Sequence, residues 1–172
     1  MPTLYATLAR YNRWANARLY AEMEKLDPEQ LAAQSAVNFG SILAIANHLV
    51  LADRLWLNRF TGQGAPMTTV DAVPYPDLAG LTAARLVEED RLLALTEGLD
   101  PARLDSTLDY VTTEGTPCSL PFALCLMHCL NHQTHHRGQI HGLLGPCGIK
   151  AADIDLLGYR REALAGCLRQ GG

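Results

Sequence analysis

Five of the six histidines of this chain lie in one short stretch, HCLNHQTHHRGQIH, which runs from His128 to His141. The remaining one, His48, lies far earlier in the sequence. Imidazole is the commonest metal-binding side chain in proteins. A small acidic protein that concentrates its histidines in this way is therefore a candidate for a metal site, provided that the fold brings His48 to the same place.

The spacing of the clustered histidines indicates a shared helical face. An α-helix turns about 100° per residue, so residues four apart lie about 40° from each other. His128, His132 and His136 follow this spacing, and they share their stripe with apolar residues expected to face the core. His135 lies towards one edge of the stripe, and His141 is expected to leave it.

The segment around His48 shows the same relationship to a core-facing stripe. The neighbours at core spacing are Ile42, Ile45, Ala52 and Leu55. We therefore expect two separate helices to point histidines into one interior. Burying several imidazoles without partners would cost several kcal/mol in lost hydration.

A divalent metal would remove that cost. Two histidines at i and i+4 can bind one ion through nitrogens at about 2.0–2.1 Å, and a third histidine from a facing helix completes the set. Zinc suits three histidines, and nickel, iron or copper are chemically acceptable. Spacing alone leaves the pair open, as His128 with His132 or His132 with His136. The alternative is that these are core histidines satisfied by ordinary hydrogen bonds.

Composition sets the class of protein. The chain has 172 residues, of which 48% are hydrophobic and 19% charged, and a formal net charge of −4. These values fit a single globular domain over residues 1–172 and argue against a nucleic-acid-binding protein, which would carry a basic stripe. No window approaches the roughly 18 unbroken apolar residues of a membrane span, so we expect no membrane association.

Cysteine usage and the N-terminal segment indicate a cytoplasmic protein. The segment MPTLYATLARYNRW lacks the apolar core of a secretory signal peptide. The five cysteines are odd in number and form no CxxC pair, which favours reduced thiols. They are Cys118, Cys125, Cys129, Cys147 and Cys167.

Apolar periodicity predicts two long helices in the first part of the chain. The first covers about 3–26 and ends at Asp27-Pro28, since proline disfavours helical backbone before it. The second covers about 41–60, with Ser41 as N-cap and Thr61-Gly62 as its stop.

The residue pattern in the second half of the chain predicts two further long helices and a short extended element. A helix is expected over about 77–97, and the alternating residues of 106–119 predict a hairpin or extended loop. The histidine helix follows Ser119, with Pro121 in its first turn, and ends at Gly145-Pro146. A last helix is expected over about 153–168. The pattern predicts an all-α, up-down four-helix bundle with a short C-terminal helix.

A faint repeat marks the connections between these helices. LDPEQL at 26–31 and LDPARL at 99–104 each follow a long helix. In both, the aspartate (Asp27 or Asp100) is expected to cap a short helical turn that has proline at its first position.

Several stretches resemble the DinB-like family of small bacterial metal-binding four-helix bundles. The most specific is NHQTHHRGQ at 131–139, together with ANHLVLADRLW at 46–56. YNRWANARL at 11–19 and DIDLLGYRRE at 153–162 support it, so the resemblance covers nearly the whole chain.

The resemblance implies a ligand set and a range of activities. It places the three-histidine metal site at His48, His132 and His136, and leaves His128 as a pocket residue one turn away. It implies a divalent ion, zinc or nickel first, with coordination positions open to water or substrate. It also implies a homodimer, and a metal-dependent enzyme that transfers a low-molecular-weight thiol to an electrophile or hydrolyses a small-molecule substrate. The alternative is a non-catalytic, metal-dependent stress-response sensor or binding module.

The residues after His136 yield three further expectations. Gly138 should allow close approach of a neighbouring helix or backbone. Gln139 should reach an imidazole nitrogen or a bound water. Arg137 should pair with an acid such as Asp53 or Glu22, or else be a solvated surface charge.

Cysteine and aromatic residues near the histidines admit two interpretations. Cys125 and Cys129 are expected to pack in the core, although a thiolate at Cys129 would compete for the metal. Aromatic residues are candidates for pocket walls, with core packing as the alternative; they are Tyr11, Trp14, Trp56 and Tyr110. No HExxH motif is present, which argues against a zincin protease and leaves a hydrolase without an obvious general base.

Overall fold

The computed structural model describes residues 2–170, with side chains from Leu4 to Ala165. The prediction of a reduced thiol at Cys167 lies outside the described side chains. In chain order the elements are α1 (Pro2–Met23), α2 (Pro28–Ala32), α3 (Ile42–Thr61), α4 (Leu78–Glu97), α5 (Pro101–Leu104), β1 (Thr107–Val111), β2 (Pro117–Pro121), α6 (Phe122–Leu144) and α7 (Leu156–Gln170).

Four long helices form the body of the molecule. α1 packs against α4 and α6, and α3 packs against the same two helices. The predicted helical class is confirmed, since every regular element among the described residues is a helix apart from the two short strands. The up-down order of a four-helix bundle stays a prediction. No helix in the described part of the chain has the length and apolar character needed to cross a membrane.

The predicted helix boundaries follow from capping. The Ser41 hydroxyl accepts a hydrogen bond from the Ala44 N–H at 3.1 Å at the start of α3, and Gly62 ends that helix with a left-handed φ of 68°. Asp77 caps α4 in the same way through Gly80. Two boundaries were wrong by three residues: α1 ends at Met23, before the predicted end, and α7 begins at Leu156, after the predicted start.

The two Asp-Pro connections are both short capped helices, as the repeat predicts. The Asp27 side chain accepts a hydrogen bond from the Gln30 N–H, and the Gln30 side-chain oxygen accepts one from the Asp27 N–H. The two bonds form a capping box. Asp100 accepts from the Ala102 N–H at the start of α5.

The extended segment before α6 is an antiparallel hairpin. Leu108 pairs with Leu120 and Tyr110 with Cys118, which confirms the hairpin alternative. Pro121 was predicted inside the first turn of the histidine helix. It is instead the last residue of β2 and the N-cap position of α6, because the strand continues to the point where the helix begins.

Ionic and amide side chains are buried among the four long helices. The carboxylate of Asp53 on α3 accepts a hydrogen bond from the Arg85 guanidinium on α4, with both side chains buried. Asn16 on α1 donates to Glu89 on α4 at 2.8 Å. A buried charge requires such a partner, so these contacts help to set how α4 meets α3 and α1.

Candidate metal centre

Three histidine side chains converge where α3 faces α6. The Nε2 atom of His48 lies 3.3 Å from Nε2 of His132, which lies 3.1 Å from Nε2 of His136. Each residue offers one ligand atom, and these three atoms lie within 4.8 Å of one another. Among the described residues this is the one group of three or more histidine, cysteine or carboxylate side chains so arranged. The set matches the one implied by the family resemblance.

Hydrogen bonds orient two of the three rings. Nδ1 of His48 lies 3.0 Å from the Val70 carbonyl oxygen, which can only accept, so Nδ1 carries the hydrogen. Nδ1 of His136 lies 2.7 Å from Oε1 of Gln139, which confirms the predicted reach of Gln139. Both rings therefore direct a bare Nε2 lone pair inwards. Outer partners of this kind fix the tautomer of metal-binding histidines.

The site favours neutral imidazoles. Burial lowers the pKa of His48 and His136 below the usual value for histidine. The pKa of His132 is lowered to about 3, mainly by burial and to a smaller extent by the neighbouring histidines. Since only a neutral imidazole can donate its lone pair to a metal, the protein holds these residues in their binding form at neutral pH.

Phe39 covers one ring of the triad. Its phenyl ring stacks on His48 with centroids 3.9 Å apart and planes 23° apart, and it meets His136 edge-on at 5.6 Å. Phe39 has a φ of 68°, an uncommon left-handed conformation for a residue with a side chain. The Ser35 N–H and hydroxyl both donate to the Gly40 carbonyl and close the loop that holds it. Sequence reasoning missed Phe39, and its sole signal is the FGS run before the helix.

The other histidines lie around the triad. The His128 ring is 5.7 Å from that of His132, one turn earlier on α6, as implied by the resemblance. His135 is exposed and packs edge-on against His136 at 4.7 Å. His141 leaves the stripe as predicted, and its Nε2 lies 3.1 Å from the Ala152 carbonyl.

Comparison with known proteins identifies the lineage. The model of the DinB family matches residues 1–170. This chain belongs to the DinB family. It is 28% identical over 156 residues to Protein DinB of Bacillus subtilis (strain 168), covering 86% of this chain and 88% of that one.

Solved structures of DinB relatives share the fold. A DinB-like protein from Bacillus cereus ATCC 10987 aligns with a TM-score of 0.61 at 23% identity, covering 87% of this chain and 91% of that chain. A DinB family member from Shewanella denitrificans aligns with a TM-score of 0.55 at 17% identity, covering 91% and 89%. Both likenesses concern the fold alone.

The aromatic residues predicted as candidate pocket walls in this DinB-family chain divide into two groups. Trp56 packs edge-on against His128 with centroids 5.1 Å apart, and Tyr110 packs against Trp56 at 5.4 Å. Tyr11 and Trp14 instead pack against Tyr159 of α7. Trp56 and Tyr110 thus lie on the same side of the histidine triad as His128. Tyr11 and Trp14 instead pack against the C-terminal helix.

Two expectations for the residues after His136 were wrong. Arg137 is neither a surface charge nor the ion-pair partner of Asp53 or Glu22; it is buried and donates to Asn12 and Asn16 of α1. Gly138 is exposed, and a Cβ atom placed on it would meet nothing within 4 Å, so no helix approaches closely there. The sequence indicated which face of α6 carries the histidine ligands. It did not indicate which residues contact the faces that carry Arg137 and Gly138.

Cys129 is placed as a core residue. It is buried, and its thiol lies 3.7 Å from the carboxylate of Asp53. Burial raises its pKa well above the ordinary value, so the thiolate that would compete for a metal is disfavoured. Cys125 is also buried in the apolar cluster, and burial raises its pKa. Asp53 is occupied by Arg85.

Proposed function

We propose that this protein binds one divalent metal ion through Nε2 of His48, His132 and His136 and uses it to activate a small molecule. The observation that carries the proposal is the convergence of three Nε2 atoms, two of which are bare lone pairs. His132 can donate its hydrogen towards at most one of its two Nε2 neighbours at a time. A cation satisfies all three nitrogens at once, so the donor set fits a metal.

The spacing of the nitrogens supports the same assignment. Nitrogens bound to one tetrahedral ion at about 2.0–2.1 Å lie about 3.3 Å from each other. Two of the three Nε2 separations are 3.3 and 3.1 Å, and all three ligand atoms lie within 4.8 Å of one another, so two of the three pairs already have the spacing that a bound ion requires. Zinc and nickel are the ions we expect, and iron or copper would also accept imidazole ligands.

We infer that the activated molecule is a low-molecular-weight thiol transferred to an electrophile. A divalent ion at this site would supply a positive charge that lowers the pKa of a thiol or a water reaching it. Hydrolysis by an activated water also requires a general base. Among the described residues, no carboxylate joins the three histidines in the candidate metal group. Transfer of a thiol places less demand on such a base, so the residues favour it over hydrolysis.

The residues around the triad have distinct roles in this proposal. Val70 and Gln139 hold the rings of His48 and His136 in the orientation that leaves Nε2 free. Phe39 shields one side of His48. His128 and Trp56 line the adjoining side and are placed to contact the bound molecule.

A turnover screen tests the activity. Protein loaded with one equivalent of zinc or nickel is incubated with low-molecular-weight thiols and a chlorodinitrobenzene electrophile, and separately with nitrophenyl esters. We expect thioether formation that disappears in His48→Ala and persists in His135→Ala, which alters an exposed neighbour.

The outcomes separate the candidate functions. Ester hydrolysis without thiol transfer would replace the transferase by a hydrolase. Stoichiometric metal without turnover on either substrate class would favour the non-catalytic sensor or binding module. Failure to bind metal would remove the whole proposal.

A further inference from the structure

A second cleft lies beside the C-terminal half of α3. It has a volume of about 420 Å³ and is bounded by α3, by the segment 62–68 that follows it, and by the end of β1 with its turn. Its walls are largely apolar or backbone, with contributions from Leu55, Pro66, Met67 and Val111. A single charged residue, Arg59, lines it.

The Arg59 guanidinium is held in place before any ligand arrives. Its central carbon lies 4.8 Å from the centre of the Trp56 ring and 4.5 Å from that of Tyr110. One terminal nitrogen donates to the Val111 carbonyl at 2.8 Å. Stacking on aromatic faces is a favoured arrangement for arginine and leaves its remaining N–H groups free to form a paired interaction with an anion.

Arg59 has no carboxylate partner within ion-pair distance in the part of the chain that the structure describes. Two neighbouring arginines are paired by contrast: Arg54 on α3 contacts Glu88 at 2.7 Å, and Arg91 on α4 contacts Glu88 at 2.6 Å. The charge of Glu114 acts on Arg59 only at longer range, and this carboxylate is exposed. A partly buried cation in an apolar cleft is thus left without a counter-ion.

We propose that this cleft binds a small molecule with an apolar body and a carboxylate group, and that Arg59 receives the carboxylate. The guanidinium offers two parallel N–H donors to the two carboxylate oxygens, while the apolar walls cover the body of the ligand. This site goes beyond the metal centre: Trp56 and His128 stand between Arg59 and His132, in ring contacts of 5.1 and 5.7 Å.

The alternative role for Arg59 is to fasten the hairpin to α3. Arg103 provides the matched case, since it stacks on Phe122 at 4.7 Å and donates to the Phe60 carbonyl but does not line the cleft. A purely structural arginine at position 59 would bind no ligand, and its loss would resemble the loss of Arg103.

Calorimetric titration with benzoate tests the proposal. We expect saturable binding to the full-length protein, weakened at least about 10-fold in Arg59→Gln, because hydrogen bonds to charged groups are the strong ones. Met67→Asp should weaken binding to a similar extent, because it places a carboxylate in the apolar wall that covers the body of the ligand. Arg103→Gln should bind benzoate as the wild type does, and neutral benzamide should bind at least about 10-fold more weakly than benzoate.

The result is independent of the metal centre. His48→Ala should bind benzoate normally, so failure here is distinguishable from failure of the proposed function. The proposal is overturned if the wild type shows no saturable benzoate binding, or if Arg59→Gln and Met67→Asp both bind as the wild type does. Binding of inorganic phosphate as tight as that of benzoate would also overturn it, because the apolar walls would then have no part in recognition.

Discussion

Nε2 of His48 and Nε2 of His132 lie 3.3 Å apart, although 84 positions separate the residues in the chain. His48 uses its other ring nitrogen to donate to the Val70 carbonyl, so its inward nitrogen is a lone pair in the neutral ring. The α3 helix thus presents a hydrogen-free nitrogen to the histidines of α6. The account of the metal centre follows from this relationship.

Loss of a ligand should abolish tight metal binding. In His48→Ala and His136→Ala the affinity for zinc is expected to fall by more than about 100-fold, since loss of even an outer partner costs about 10- to 100-fold. His135→Ala should retain wild-type affinity, because its ring only flanks His136. Competition with a chromophoric chelator measures these affinities, and equal affinity across the three variants would contradict the assignment.

Acid should destabilise the metal-free protein through the triad. The folded state holds His132 with a pKa of about 3, whereas the unfolded state has the usual value of about 6.5. The unfolded state therefore binds more protons, and stability falls as the pH drops below about 6.5. Between pH 7 and 5 we expect a loss of about 2 kcal/mol from this residue.

The control for the pH dependence is His132→Gln, which cannot take up the proton. Urea unfolding of the metal-free proteins at a series of pH values should show a shallower decline for the variant than for the wild type. Parallel declines for the two proteins would show that His132 contributes nothing to the pH dependence.

Gln139 should tune metal affinity without binding the metal. Its Oε1 accepts the Nδ1 hydrogen of His136 at 2.7 Å, and removal of such a partner costs about 10- to 100-fold in affinity. Gln139→Leu should show this loss, whereas Gln139→Glu keeps an acceptor in place and should not. If the leucine and glutamate variants bind zinc equally well, the orienting role is wrong.

Asp53 should stabilise the fold rather than the metal. It forms a buried ion pair with Arg85, and removing one partner of such a pair costs about 3–5 kcal/mol because the other charge stays buried. Asp53→Ala should therefore lower the free energy of unfolding of metal-free protein by about 3 kcal/mol or more. Glu97→Ala, which breaks an exposed pair with Arg10, should cost no more than about 1 kcal/mol. A decrease no larger than that of the control would contradict the structural role of Asp53.

The sequence correctly predicted those features that depend on residues close together in the chain. The caps at Ser41, Asp27 and Asp100 and the i, i+4 spacing of His132 and His136 depend on residues close in the chain. The choice of that histidine pair over His128 with His132 came from the family resemblance, since both pairs satisfy the spacing. The structure brings the chosen residues together, whereas the bound metal, the activity and the homodimer stay predictions.

Contacts between distant loops and helices could not be read from the sequence. Phe39 reaches His48 through a left-handed turn, and Val70 contributes only a backbone oxygen, which has no sequence signature. The partners of Arg137 depend on how α1 lies against α6, so charge complementarity wrongly suggested an acid where Asn12 and Asn16 stand.

X-ray absorption spectroscopy at the metal edge tests the central claim most directly. Protein stripped of metal and reloaded with one equivalent of zinc should give a first shell that includes three imidazole nitrogens at about 2.0–2.1 Å, with the multiple scattering typical of histidine. The same spectrum from His48→Ala should lose one imidazole. A shell with sulfur, or with fewer than three imidazoles in the wild type, would contradict the account.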